Sequence, residues 1–293
     1  MKNYIVRGLA GNKNIRVFVA ITTEMVEKAR KIHKTTPVST AALGRTITAA
    51  SIMGYMLKGE KDKLTLQILG SNEIKSIVAV SDSTGNVKAY ISNPNAKVKL
   101  NDKGKLDVGG AVGRGKLRVI KDLGLKEPYI GQANLISGEI AEDLAAYYMY
   151  SEQQPSVVSL GVLIDVDGSV KAAGGFIIQP LPDVEEEILI KLEECIKDVP
   201  PVSAMVAEGL SGEEIMRRIL KDFDVEVGEK KEVDFVCDCS LEKIERALIS
   251  LGEEELKNII EEDEEAEIQC HFCNTFYKFN KEQLIDILKR AKN

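Results

Sequence analysis

Val236-Cys237-Asp238-Cys239-Ser240 and, about thirty residues on, Cys270-His271-Phe272-Cys273 are the stretches around which this chain makes sense. Two close-spaced cysteine pairs separated by a helix-sized segment can converge on one tetrahedral ion, each thiolate roughly 2.3 Å from the metal. Of the five cysteines, only Cys195 falls outside these pairs. One zinc ion held by Cys237, Cys239, Cys270 and Cys273 is therefore the leading expectation. Permanent disulfides, or no link at all, are the alternatives. The C-x-C half is the unusual part, because zinc sites mostly space both pairs as C-x2-C.

The rest of the composition bounds the setting. A chain of 293 residues can hold one large domain or two unequal ones. Its 44% hydrophobic and 29% charged content is ordinary for a soluble globular protein. No apolar run is long enough to span a bilayer, and the opening MKNYIVRGLAG lacks the apolar core of a signal peptide. A cytoplasmic protein with no membrane partner is expected, and reducing surroundings favour metal-bound thiolates over disulfides. A net charge of −7 and a pI near 5.2 argue against nucleic acid as the partner. The absence of Trp leaves little with which to stack bases.

Along the N-terminal part, Tyr4–Ala10 and Ile15–Ile21 read as strands joined across Gly11-Asn12. Thr23 is expected to cap a helix to about Lys34, and Ser39 to open a long alanine-rich helix to about Lys58. Leu64–Leu69 and Ile74–Val80 return to strand character. The segments from Asp82 and from Asp165 share D-x-x-G-x-V-K-A, and read as two similar hairpins of one antiparallel sheet. Between them, Gly109 to Leu117 nearly matches a phosphate-cradling loop. Leu117 replaces the magnesium-binding hydroxyl, though, and a strand rather than a helix follows, so a flexible loop is expected. Ser137 is expected to cap a helix from Ile140 to Tyr150, before a strand over Val157–Asp165 and a last one through Gly174–Ile178.

From Pro180 the texture turns helical. Asp183 with Glu186 marks a helix start whose apolar face carries Val184, Ile188, Leu192 and Cys195 or Ile196. Cys195 reads as a buried small hydrophobe. A short helix stopped by Gly209 follows, then a capping box of Ser211 and Glu214. Asp224–Val236 alternates as a strand or hairpin delivering Cys237, and Ser240 can cap the next helix. The acidic run Glu261–Glu265 is a solvated face that would repel phosphate. Ala266–Asn280 reads as a hairpin with Cys270–Cys273 at its turn, and Asn280 with Gln283 starts a final helix. His271 and His33 are not expected to bind metal. The fold class is α+β: a mostly antiparallel N-terminal sheet with packed helices over 1–179, a helical linker over 180–230, and a small zinc-binding α+β domain over 231–293.

At this point the residues resemble a known family. The C-x-C and C-x2-C pairs with Phe276-Tyr277-Lys278-Phe279-Asn280 are similar to the redox-regulated bacterial chaperones of the thirty-three-kilodalton heat-shock protein family. Further likeness lies in Gly113-Arg114-Gly115, Lys121-Asp122-Leu123-Gly124, Ser137 to Asp143, Ser151-Glu152-Gln153 and Gly174-Gly175-Phe176. The resemblance implies an ATP-independent holdase, not an enzyme, that is inactive while reduced and loaded with one zinc ion. It implies that oxidation under stress forms the disulfides Cys237–Cys239 and Cys270–Cys273 and releases zinc. The chain would then dimerise and hold unfolding client proteins.

Physical chemistry makes such a switch reasonable. A segment of roughly sixty residues has too little core to be secure alone. Structural zinc can supply about 10–16 kcal/mol of folding free energy. Exposed thiolates are the oxidisable form of cysteine, and each has a neighbouring thiol to resolve it. A zinc enzyme is disfavoured, since four thiolates close the coordination shell. The runner-up is a zinc-binding thiol–disulfide oxidoreductase, which expects its C-x-x-C beside a β-α-β unit.

Overall fold

The computed structural model describes residues 2–102, 104–182, 184–262 and 265–291. Packing divides the chain into two compact units, Met1–Val236 and Cys237–Asn293.

The first unit is built from two five-stranded antiparallel sheets. The chain starts with β1 (Tyr4–Ala10) and β2 (Ile15–Ile21), then α1 (Thr23–His33) and α2 (Pro37–Tyr55). The second sheet follows as β3 (Lys63–Gly70), β4 (Ser76–Asp82), β5 (Val87–Ile91), the short α3 (Val108–Val112), β6 (Gly115–Asp122) and β7 (Tyr129–Asn134). After α4 (Ala141–Tyr150) the chain returns to the first sheet with β8 (Val157–Ile164) and β9 (Val170–Pro180). Three short helices, α5 (Glu186–Lys197), α6 (Val202–Ala207) and α7 (Gly212–Ile219), precede β10 (Val225–Glu232). The sheet orders are β10-β1-β2-β9-β8 and β5-β4-β3-β6-β7.

Helix α2 packs against both sheets, and its sequence explains how. A helix that is apolar all round must be buried all round, and nearly every residue from Val38 to Gly54 is. Small residues permit the close approach: a Cβ on Gly44 would sit 2.5 Å from Val26 Cγ1, and one on Gly54 only 2.5 Å from the Asp82 carbonyl. The buried threonine and serine hydroxyls are satisfied, while the Tyr55 hydroxyl at the end of the helix is buried without a partner. Thr46 and Thr48 donate to the carbonyls of Ala42 and Gly44, and Ser51 to that of Gly85.

The first sheet is buried on both faces, and period-two alternation sorts its residues. Ile5, Phe18, Ala20 and Ile177 join the core around α2. Tyr4, Val6, Val17, Val19, Phe176 and Ile178 point the other way, under Leu192, Met205, Val206, Ile215, Met216 and Ile219 of α5–α7. Ser211 and Glu214 form the expected reciprocal capping box at the start of α7. Asp183 lies outside the described residues, and α5 begins at Glu186.

Several local expectations are corrected. The two D-x-x-G-x-V-K-A hairpins turn at Gly85 and Gly168 in left-handed conformations, φ 87° and 83°, but they lie in different sheets, β4–β5 and β8–β9. Thr23 is the first helical residue rather than the cap, its hydroxyl bonded to both backbone groups of Ala173. Ser39 sits inside α2, where its hydroxyl donates to the Asn93 carbonyl, and Pro37 opens the helix as its missing N–H allows. Ser137 does not cap α4. The carboxylate of buried Asp143 does, accepting from the backbone of Ile136, Ser137, Gly138 and Ile140 and holding Ile140 at φ 74°. The glycine-rich loop is ordered as α3 leading into β6; its five residues are too short for an anion site.

The second unit holds α8 (Leu241–Ser250), α9 (Glu253–Glu262), the hairpin β11 (Glu265–Gln269) and β12 (Phe276–Asn280), and α10 (Lys281–Ala291). Its core is Leu248, Leu256, Ile260, Phe279, Leu284 and Ile287. Within the acidic run, Asp263 and Glu264 lie outside the described residues. Among the described residues no helix is long and apolar enough to cross a membrane.

Candidate metal centre

Two short segments carry the cysteines. Cys237-Asp238-Cys239 is extended and ends at Ser240, whose hydroxyl accepts the Lys243 N–H and starts α8. An ion pair from Lys243 to Asp238 fixes the same corner. The other pair sits on the loop closing β11 onto β12, where Gln269 faces Phe276. Cys270 N donates to Thr275 O at 2.9 Å and Asn274 N to Cys270 O at 2.8 Å. Asn274 takes the left-handed conformation such a tight loop demands, φ 57°.

These segments bring all four sulfurs within 4.8 Å of one another. Cys237 and Cys270 are 3.7 Å apart, Cys239 and Cys273 3.3 Å. A tetrahedral zinc with thiolates at about 2.3 Å requires sulfur separations of about 3.8 Å, so the donor set and its dimensions fit such an ion. No histidine belongs to the cluster. His33 instead bonds the Ala89 carbonyl inside the first unit. Cys195 is also in the first unit, buried, with its thiol donating to Asp222 Oδ2 at 3.2 Å.

Two residues missed by the sequence reading complete the surroundings. The Tyr277 hydroxyl donates to Cys239 Sγ at 3.1 Å, and the Cys273 thiol donates to Thr275 Oγ1 at 3.2 Å. The aromatic run after Cys273 and the strand alternation of β12 were the available signals. Burial pushes the Cys237 thiol well above its ordinary range. Burial also raises Cys239, against the pull of Tyr277. For Cys273, burial is outweighed by hydrogen bonds that its thiolate accepts from the Thr275 hydroxyl and backbone N–H and from Cys239 and Cys270, which bring it down to about 7. A dication bound at the centre would favour the thiolate form of its ligands.

Comparison with known proteins agrees with this geometry. The family model described as Hsp33 protein matches residues 3–280. The 33 kDa chaperonin of Alkaliphilus metalliredigens is 53% identical over 289 residues, covering 98% of this chain and 99% of its own. That of Clostridioides difficile is 50% identical over 290 residues, covering 99% of each. The crystal structure of the 33 kDa chaperonin from Thermotoga maritima superposes with a TM-score of 0.90 at 39% identity, covering both chains fully.

Proposed function

The chain belongs to the Hsp33 family, and from that membership we propose that it is a redox-switched, ATP-independent holdase whose trigger is the four-cysteine cluster. A chaperone of this family binds unfolding proteins; the switch, the zinc ion, dimerisation on activation and a cytoplasmic home are the further parts of the proposal. The observation that carries it is the convergence of Cys237, Cys239, Cys270 and Cys273 at zinc-like separations in a small unit with six core side chains among its described residues.

When bound, zinc would neutralise four thiolates and tie the hairpin loop to the segment before α8. The family resemblance pairs Cys237 with Cys239 and Cys270 with Cys273 under a two-electron oxidant such as peroxide, whereas in the cluster Cys237 lies 3.7 Å from Cys270 and Cys239 3.3 Å from Cys273. Four thiolates, two peroxides and four protons give two disulfides and four waters. Paired sulfurs are no longer thiolate ligands, so the small unit loses a term comparable to the whole stability of a domain, about 5–15 kcal/mol. Cys237 follows β10 by only a few residues. We take residues 180–230 as a linker whose helices cover the apolar outer face of the first sheet, and that face, with the inner faces of α5–α7, as the client surface. The test follows zinc release and aggregation of a thermally unfolding client in one sample, before and after peroxide at raised temperature. Zinc release together with onset of protection is expected; unchanged zinc occupancy would sink the switch. Insulin reduction, expected to be absent, separates this reading from an oxidoreductase.

A further inference from the structure

The helices that lie over the outer face of the first sheet carry two methionines, Met205 on α6 and Met216 on α7, and both are fully buried. β1 explains where Met216 sits. Its alternation turns Tyr4, Val6 and Gly8 toward the cover helices, and at Gly8 no side chain intervenes. A Cβ on Gly8 would lie 2.5 Å from Met216 Sδ and 3.2 Å from its Cε. The thioether thus takes the room that a side chain at position 8 would need, with its sulfur against the strand backbone. Met205 belongs to the same apolar cluster, with Val17, Val19, Phe176 and Ile178. Elsewhere, Met25 and Met53 are buried in the core around α2, whereas Met149 on α4 is 51% exposed.

The class of oxidant that pairs cysteines also attacks thioethers. Peroxide transfers one oxygen to the sulfur: the S–O bond forms as the O–O bond breaks, two electrons pass from sulfur to peroxide, and one water leaves. The product is polar and larger by one atom. A close-packed interior has no room for that atom, and burying its oxygen without a hydrogen-bond donor is unfavourable. In the closed chain neither sulfur is reachable. Once uncovered, both are. Helices α6 and α7, 6 and 8 residues long, depend on burial for their existence, so a cover that must seat two sulfinyl groups does not re-form.

We propose that Met205 and Met216 are a second oxidation site, masked while the cover is closed and modified after the cysteine switch has opened it, and that their sulfoxides keep the cover from closing. The inference rests on the redox-switch reading and adds a memory to it. Reducing the disulfides and rebinding zinc restores the small unit alone. The cover recloses after a second class of reaction, enzymatic reduction of methionine sulfoxide, has returned both thioethers.

The test uses the full chain and locates sulfoxides by peptide mass after peroxide treatment. Treated cool, while reduced and zinc-loaded, the chain should gain oxygen at Met149 and none at Met205 or Met216. Treated at raised temperature until zinc is released, it should gain oxygen at Met205 and Met216 as well, with Met25 and Met53 still spared. Dithiothreitol and zinc are then added, which reduces disulfides and leaves sulfoxides. Zinc should rebind, while hydrogen exchange over 202–219 stays fast and client aggregation stays suppressed. Adding methionine sulfoxide reductases for both epimers should restore slow exchange and end the suppression. Met205→Leu/Met216→Leu, close in volume and without sulfur, should close on dithiothreitol and zinc alone. If leucine does not seat over Gly8, the reductase step on the wild-type chain decides. Sulfoxide at either site before zinc release, none after 202–219 has opened, closure with sulfoxides still in place, or no response to the reductases would each overturn the proposal and leave the switch standing. If peroxide neither releases zinc nor opens 202–219, the switch reading fails and the proposal falls with it.

Discussion

If the cover over the first sheet is the lock, loosening the cover should bypass the oxidant. Met205 on α6 and Ile215 on α7 are fully buried against Val6, Val17, Val19 and Ile178. Their helices are 6 and 8 residues long. Isolated helices below about 12–15 residues are marginal in water, so α6 and α7 exist because this face is buried. Truncating a buried Met or Ile to Ala costs about 2–5 kcal/mol. The two sites share partners, so the double variant Met205→Ala/Ile215→Ala will not follow simple addition. Either change is nevertheless large against a local unit with so little support of its own. The opposite face of the sheet keeps its core with α2, so the loss should appear as local opening rather than global unfolding. Hydrogen exchange of the reduced, zinc-loaded variant should show loss of protection over 202–219. Binding of an apolar dye should rise, and aggregation of a client should be suppressed without oxidant. A variant that opens over 202–219 yet leaves the client unprotected would refute the assignment of this face as the client surface.

Chelation of the reduced chain should melt the small unit alone. Helices α8, α9 and α10 are 10, 10 and 11 residues long, so the far-ultraviolet helical signal should fall by roughly three-tenths and recover on adding zinc. Retention of the full signal without metal would show that the six-residue core suffices. Tyr277→Phe removes the hydroxyl on Cys239 and should weaken zinc binding about 10- to 100-fold in a chelator competition, with unit stoichiometry preserved. An unchanged affinity would reduce Tyr277 to packing. In the first unit, the hydrogen bond from Arg30, followed by those from Val170 and Lys31, holds Glu27 at about 2, below its ordinary 4.5. A depressed carboxylate stabilises above its unfolded value and loses that contribution as pH falls through the folded one, here from about 4.5 to 2. Glu27→Gln should therefore flatten the acid limb of the stability profile, and an unaltered limb would mean the Arg30 pair contributes nothing.

What could be read from the chain alone followed the range of the interaction. Both N-terminal strands, the Ser211 capping box and the cysteine hairpin are written in neighbours a few residues apart, and the structure places them as expected. The convergence of the cysteine pairs was legible because thiols at those spacings have few other uses. The similar turns of the two echoing hairpins suggest one sheet, yet sheet membership is decided by the neighbouring strands: β4 pairs with β3 just before it, whereas β9 pairs with β2 from the far end of the chain. Caps failed where a buried carboxylate outcompeted a hydroxyl, as Asp143 does over Ser137. The thiol partner Tyr277 was hidden because the register of β12 selects it, not its spacing from Cys273.

The position of β9 between β2 and β8 has a consequence for synthesis. Ile21 of β2 pairs with Gly174, so the first hairpin must wait for more than a hundred residues before its inner neighbour exists. At about 5–20 residues per second, that wait is roughly 8–30 s. Throughout it, the apolar strand Ile15–Ile21 has one edge free on the ribosome, and the helices that cover its face emerge later still. Stalled chains ending before residue 170 should accordingly be protease-sensitive in β1 and β2, whereas chains extending well past 232 should resist. A protein that shelters unfolded polypeptides thus begins its own life as one, exposing for many seconds the kind of surface it later conceals.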